Sequence, residues 1–567
     1  MKAFKQTYFA AACAALILTA CGGSGSDGNL VPEPGEAPSA TLSGTAAAGA
    51  ALVGTVTVKD ATGKTRTVAI GAGGGYSVDV SDMTGPFVLR ASGSVGGRTY
   101  TIHSATVDAT RTINVTPLTD LIVANIAGQI AQNFFDNPDA RKLTPAALEQ
   151  QQAALRQRLE TVLAALGVDA AVDLLHTQFT ADHTRLDAAL DVLRVSVDPA
   201  THVATITNVI TREKIEDNLA SQTDDTRLTD TTNLQDGVSD LQAIVVAMTS
   251  FSDRFANGLP QESELLPLLH PDFLHQDQAK AEFVAEASGD PDNQGLQFTN
   301  VELQSLSGDT AVVSFDVLGK EGALDTHDRD FQLKKTDGKW LLMGNQSALE
   351  VENFAMSFQT SQGSSGISRT TGLEFWIEDL NPGNSPNVSY AMVTGPGLPE
   401  GGVRFSKPSL GGAWHTSGSS SFYPIATDEA ILSIRDNASY RITIHNSDES
   451  VFAAYDKMLP KRPYSHEEMT ALAFPVFSAE TLARLTAYQG GAFDGIMGTL
   501  PQTARAVWLG LWGGDAFTEG SFAAANGAFG PHSLSVTSVR EGINPMLRAS
   551  YIDGFYREVF TVHYADR

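Results

Sequence analysis

The chain has 567 residues, 42% of them hydrophobic, and a formal net charge of −27. At about 100–200 residues per domain, that length calls for several separate cores. With 65 Asp+Glu against 38 Lys+Arg, the charge argues against nucleic-acid partners and against an electrostatic hold on anionic lipid.

The chain opens with Lys2 and Lys5, followed by the apolar run "YFAAACAALIL" at 8–18. That run is too short to span a bilayer and reads as a signal peptide over residues 1–20. It closes on "LTAC", Leu18 to Cys21. These four residues resemble the lipobox of bacterial lipoproteins. In that family the cysteine thiol receives a diacylglycerol, the chain is cleaved before it, and the new amino group is acylated. The resemblance implies a lipidated (palmitate-type) Cys21 that makes the membrane a partner. Several acyl chains anchor stably where one is marginal. Gly22 follows the cysteine where aspartate would resemble an inner-membrane retention signal, which favours the outer membrane. Cys13 lies in the removed segment, so no disulfide, cysteine nucleophile or zinc cluster is expected downstream. No later segment has the roughly 18 apolar residues of a membrane helix.

Residues 21–40, rich in Gly, Pro and Ser, read as a flexible tether. Over 41–116, seven short alternating runs separated by "ATGK", "GAGGG" and "SVGG" predict a β-sandwich. The stretch "VTVKDATGKTRTVAIGAGGGYSVDVSDMTGPFVLRAS" resembles carboxypeptidase-regulatory-like and bacterial immunoglobulin-like modules. The period then changes. Thr116–Pro117 and Thr144–Pro145 each read as an N-cap followed by a first-turn proline, and Gly167 as a stop. Residues 117–235 are expected to be a mostly helical insert, with a hairpin in "VSVDPATHVATIT" and a polar connection over 211–235.

In residues 236–350, Leu241, Ile244, Val245, Met248, Phe251 and Phe255 share a helical face, and three strand-like runs end in "TDGKWLLMG". With "LLHPDFL" between them, this block resembles the nuclear-transport-factor-2-like (SnoaL-type) α+β cone. Residues 351–458 predict a second sandwich and 459–490 a proline-punctuated linker. Residues 491–567 resemble a fibronectin type III-like sandwich in strand pattern. The fold class expected is multidomain and β-rich, with β-sandwiches flanking a helical insert and an α+β cone.

The cone family includes enzymes and binding domains alike, so fold does not fix function. The polar candidates for catalysis there are His270, Asp272, His275 and Asp277 in "HPDFLHQD", where a His–Asp pair could serve as general base. The same residues fit a helix end and turn, and no catalytic set is assigned. Asp325, His327, Asp328 and Asp330 read as a solvated strand edge, and Asp182, Asp187 and Asp191 as a solvated helix face. "DPDNQG" lacks the acid a calcium loop needs at its twelfth position, where Val301 stands, and is read as a turn. There is no second histidine at zincin spacing after "SHEEMT", no G-x-S-x-G elbow and no Walker loop. No metal and no cofactor are therefore expected. Trp508 and Trp512 share one strand face and are expected in a core rather than on a sugar-stacking platform.

These readings converge on a lipid-anchored outer-membrane or cell-surface protein. It would present non-enzymatic binding, adhesion or envelope-assembly modules to an envelope or extracellular protein or glycan. The alternative is an anchored enzyme or small-ligand receptor using the cone pocket. Polar groups converging in an apolar cone favour the alternative, and a cone filled by Phe, Leu and Trp favours the first.

Overall fold

The computed structural model describes residues 40–566, except 97, 110, 199–201, 221–225, 320–323, 363–365, 410, 417–419, 503, 505, 515, 525–526 and 554. Cys21 and the tether lie outside the described residues. The chain is β-rich and builds several separate sheets.

In the first module the seven expected runs become six strands. Thr41–Thr45 pairs with Gly75–Asp79, and a four-stranded sheet runs Thr65–Ala69, Val53–Lys59, Phe87–Val95, Arg98–Thr106. The seventh run contributes parallel bridges, Ser43 to Thr112 and Ala46 to Val115. Gly44 permits this approach, because a Cβ there would lie 1.9 Å from the Ile113 carbonyl oxygen.

Thr116 caps the helix Pro117–Ala127. Its hydroxyl accepts from the Thr119 amide at 3.2 Å, and the Thr119 hydroxyl accepts from the Thr116 amide at 2.8 Å. Thr144 caps Pro145–Ala165 in the same way, accepting from the Ala147 amide at 3.1 Å. Leu148, Leu155, Leu159, Val162 and Leu166 line its buried face. Ala47, Val88 and Ala105 of the first module join this helical core, so the two units share apolar packing. The predicted hairpin forms from Leu193–Asp198 and Val203–Asn208, and Lys214–Asn218 adds a third strand. That third strand corrects the reading of 211–235 as a polar connection. Ile215 and Asp217 point inward, and the buried Asp217 carboxylate is held by Arg158 at 3.1 Å and the Asn125 amide at 2.8 Å.

The next unit sets the helices Leu234–Ser252 and Lys280–Gly289 against an antiparallel sheet. Its order is Gln297–Ser307, Thr310–Leu318, Leu324–Thr336, Lys339–Gly344. Register shifts between Thr299 and Glu302 and between Leu303 and Ser305 mark bulges, which bend a sheet.

The C-terminal half departs from the expected division into 351–458 and 491–567. One seven-stranded sheet draws on both: Phe422–Pro424, Ile367–Glu378, Glu350–Gln362, Arg557–Tyr564, Met546–Ile552, Ala506–Trp512, Phe517–Ala523. The junction is a parallel pairing from Ala355–Arg557 to Gln362–Tyr564. Two smaller sheets cover the same face of this sheet. Val388–Thr394, Val403–Ser406, Ala438–Asn446 and Val451–Leu459 pack Phe405, Tyr440 and Ile442 on Leu373 and Phe375. Val476–Phe477, Gly491–Thr499 and Ala528–Val536 pack Phe493, Ile496 and Leu534 on Leu509, Leu511 and Val559. Two sandwiches therefore share one continuous central sheet.

Candidate functional site

The interior of the 236–350 unit is filled by rings. Phe251 stacks on Phe298 at 5.5 Å, Phe298 meets Phe315 at 4.7 Å, and Phe273 meets Phe283 at 4.7 Å. Phe331 lies edge-on to Phe315 at 5.4 Å. Trp340 is buried beside them and donates its indole N–H to Asp240 at 3.0 Å.

The four polar candidates fall into three separate settings. His270 and Asp272 form a turn in which the Asp272 amide donates to His270 Nδ1 at 3.1 Å, and the Asp272 carboxylate is exposed. His275 is buried against Phe283 and Phe331, and its Nδ1 accepts from the Asn345 amide at 3.3 Å. Burial pushes its pKa down to about 3, so the ring is neutral at pH 7. Asp277 accepts from the Asn381 amide at 3.0 Å, while its own carbonyl accepts from the Asn381 side chain at 2.9 Å. It clamps this unit to the C-terminal half. His270 Nδ1 lies 3.8 Å from the Asp272 carboxylate, and His275 Nε2 lies 3.8 Å from the Asp328 carboxylate.

Polar groups converge outside the ring-filled interior. A cavity of about 240 Å³ opens where this unit, the first module and the C-terminal half meet, lined by Arg98, Gln304, 326–330, 351–354 and 456–458. Here Lys457 pairs with Asp330 at 3.0 Å, Arg329 donates to Asn353 at 3.3 Å, and Gln276 donates to Glu352 at 2.8 Å. Burial, reinforced by Asp330, pushes Asp328 up to about 7. His327 sits edge-on to the Tyr556 ring at 4.1 Å. The segment 326–330 thus faces a neighbouring unit, which corrects its reading as a solvated strand edge.

Trp508 and Trp512 are not in the core. Strand alternation turns Val507, Leu509 and Leu511 inward, each 0% exposed, and leaves the two tryptophans half-buried on the opposite face. Registered neighbours extend that face. Trp512 lies opposite Phe517, which is 45% exposed, and opposite Met546, which pairs in turn with Tyr564. Further across, Phe560 stacks on Phe358 at 4.6 Å and Phe358 meets Phe422 at 5.3 Å. Arg548, paired with Glu558, lies over Phe560 at 4.6 Å. The outer face of the seven-stranded sheet is therefore an aromatic surface with interspersed charge. Its sequence signal is period-two alternation, which groups the tryptophans without saying which side faces water.

A second cluster was read in sequence as a solvated helix face. The structure leaves Asp182 exposed but buries the other two: Asp187 is 0% and Asp191 4% exposed on the helix Leu186–Val192. His183 joins them from the preceding turn, with Nδ1 at 3.0 Å from an Asp191 oxygen. The "DPDNQG" turn is a single 3-10 turn, with Asp290 accepting from the Asp292 amide at 2.9 Å.

No family model and no curated protein matches the chain. Among solved structures it is similar to a tetra-tandem repeat in the extending region of a large adhesion protein. That match has 11% identity and a TM-score of 0.12, and covers 93% of this chain and 99% of that one. It is also similar to the FN1–FN3 domains of chicken CNTN1, at 8% identity and a TM-score of 0.14 over 48% and 99% of the two chains. A third is a Ca2+-stabilized adhesin that helps an Antarctic bacterium bind ice, at 9% identity and a TM-score of 0.13 over 93% and 98%. At these scores the likenesses carry no argument about function, which rests on the geometry above.

Proposed function

We propose that this chain is a non-enzymatic, lipid-anchored envelope protein whose C-terminal seven-stranded sheet presents an aromatic face to a protein or glycan partner. One observation carries the reading. The alternation that sends Leu509 and Leu511 inward turns Trp508 and Trp512 toward solvent, beside the exposed Phe517. Aromatic rings with one apolar face and a polar edge are common anchors for proteins and for the flat faces of sugars. The ring-filled interior of 236–350 speaks for binding over catalysis. Lipidated Cys21 would hold the body at the outer membrane.

The experiment is a crosslinking pull-down from intact cells together with a glycan array. Wild type is compared with the paired variant Trp508→Ala and Trp512→Ala. The variant should lose the captured partner while keeping its melting temperature, and equal capture by both proteins sinks the reading. A Cys21→Ser chain should leave the membrane fraction.

A second reading, a small-ligand receptor, is favoured by the charged junction cavity rather than by the ring-filled interior. Binding of an ionic small molecule that Asp328→Asn abolishes would support it.

A further inference from the structure

His183, Asp187 and Asp191 stand four residues apart, so the two aspartates lie on one face of the helix and the histidine continues that line into the turn before it. One ligand atom from each can be chosen so that all three lie within 4.8 Å of one another. The Asp187 Oδ2 accepts from the His183 amide at 2.7 Å, and the Asp191 Oδ2 faces His183 Nδ1 at 3.0 Å. The remaining oxygens, Oδ1 of Asp187 and Oδ1 of Asp191, are buried and have no hydrogen-bond partner among the described residues. The nearby Asp182 is occupied elsewhere, by the hydroxyls of Thr180 and Thr184 at 2.7 Å each. Gly49, in the left-handed region at φ +84°, closes over the cluster from the first module, and a Cβ there would lie 3.3 Å from Asp191 Oδ1.

Two carboxylates withdrawn from water beside a single imidazole are costly unless something compensates them. Unpartnered oxygens on both point to a missing positive ligand.

We propose that His183, Asp187 and Asp191 form a site for one divalent metal ion of the zinc class, seated between the helical insert and the Gly49 turn. One imidazole nitrogen with two carboxylate oxygens matches the donors zinc takes. Calcium and magnesium sites are built from oxygen alone. Three protein ligands leave a fourth position, and the 16% exposure of the His183 side chain gives the ion a way in. The ion cross-links the His183 turn to the helix Leu186–Val192 beneath the Gly49 turn.

The test uses the untagged chain in detergent, with any free thiol alkylated so that none competes. After dialysis against EDTA it is titrated with Zn2+ alone, and with Co2+ for its visible absorption. About one Zn2+ per chain should bind, and the melting temperature should rise with free Zn2+. Asp187→Asn keeps the side-chain shape and His183→Gln keeps a polar group. Each should weaken Zn2+ binding by about 100-fold or more while leaving the circular dichroism unchanged. If the wild type takes up no Zn2+ or Co2+, or binds as the variants do, the site is overturned. Retention of metal by the Trp508→Ala and Trp512→Ala protein keeps this test separate from the partner-binding one.

Discussion

Phe358 and Phe560 lie directly opposite each other across the parallel strand pair, with rings stacked 4.6 Å apart and 11° from parallel. Beside them, Gln359 donates to Thr561 at 3.1 Å, and Thr561 donates to the Pro475 carbonyl at 2.6 Å. The two ends of the C-terminal half are thus fastened in the middle of one sheet. A fragment of residues 351–458 keeps its own packed core but loses the Arg557–Tyr564 ladder, so it should melt well below 346–567 and be cleaved faster by protease. A melt of the short fragment at the same temperature would contradict the shared sheet.

Two residues three positions apart on one strand should behave oppositely. Leu509 is fully buried, so Leu509→Ala should cost about 2–5 kcal/mol in urea unfolding. Trp512→Ala, on the open face, should cost far less yet reduce partner capture. A large stability loss from Trp512→Ala would mean that the outer face is covered.

His275 links stability to pH. Its ordinary value of 6.5 falls to about 3 on burial. The unfolded chain therefore takes up a proton below 6.5 that the folded chain refuses until about 3. Stability contributed by the neutral ring is intact above 6.5 and declines as pH falls through that window, by up to about 1.4 kcal/mol per pH unit. His275→Phe removes the titrating group from a cluster of rings. Urea unfolding at several pH values should show a shallower acid slope in the variant, by about one proton. Parallel slopes would mean that the ring is charged in the fold.

The Arg158–Asp217 pair is buried at 9% and 6% side-chain exposure. Arg158 also donates to the carbonyls of Thr226, at 3.0 Å, and Glu216. Arg158→Met strands the Asp217 carboxylate and should cost about 3–5 kcal/mol. Adding Asp217→Asn should recover part of that loss, because the remaining group is neutral and still accepts from Asn125. No recovery in the double variant would place the cost in the lost carbonyl contacts instead.

Local devices were legible in the sequence. Thr116–Pro117 and Thr144–Pro145 mark helix starts because a cap depends on three or four consecutive residues. The "TDGK" turn likewise reports its own hairpin, Leu324–Thr336 with Lys339–Gly344. The parallel pairing of Glu350–Gln362 with Arg557–Tyr564 was not legible, because no short turn connects the two strands and register resides in tertiary packing. Asp187 and Asp191 look like a solvated helix face by spacing, and it takes tertiary packing, with the Gly49 turn of another module against Asp191, to bury them. For Trp508 and Trp512 the shared face was readable, but the run "AVWLGLW" is apolar on both faces and so does not say which one packs.

The central place of Arg557–Tyr564 also sets an order of assembly. This strand follows in sequence everything it pairs with, and it separates two halves of the sheet that touch nowhere else along its ladder. Until that strand is in place, the aromatic surface stays in two pieces, and the Phe358 ring waits for Phe560.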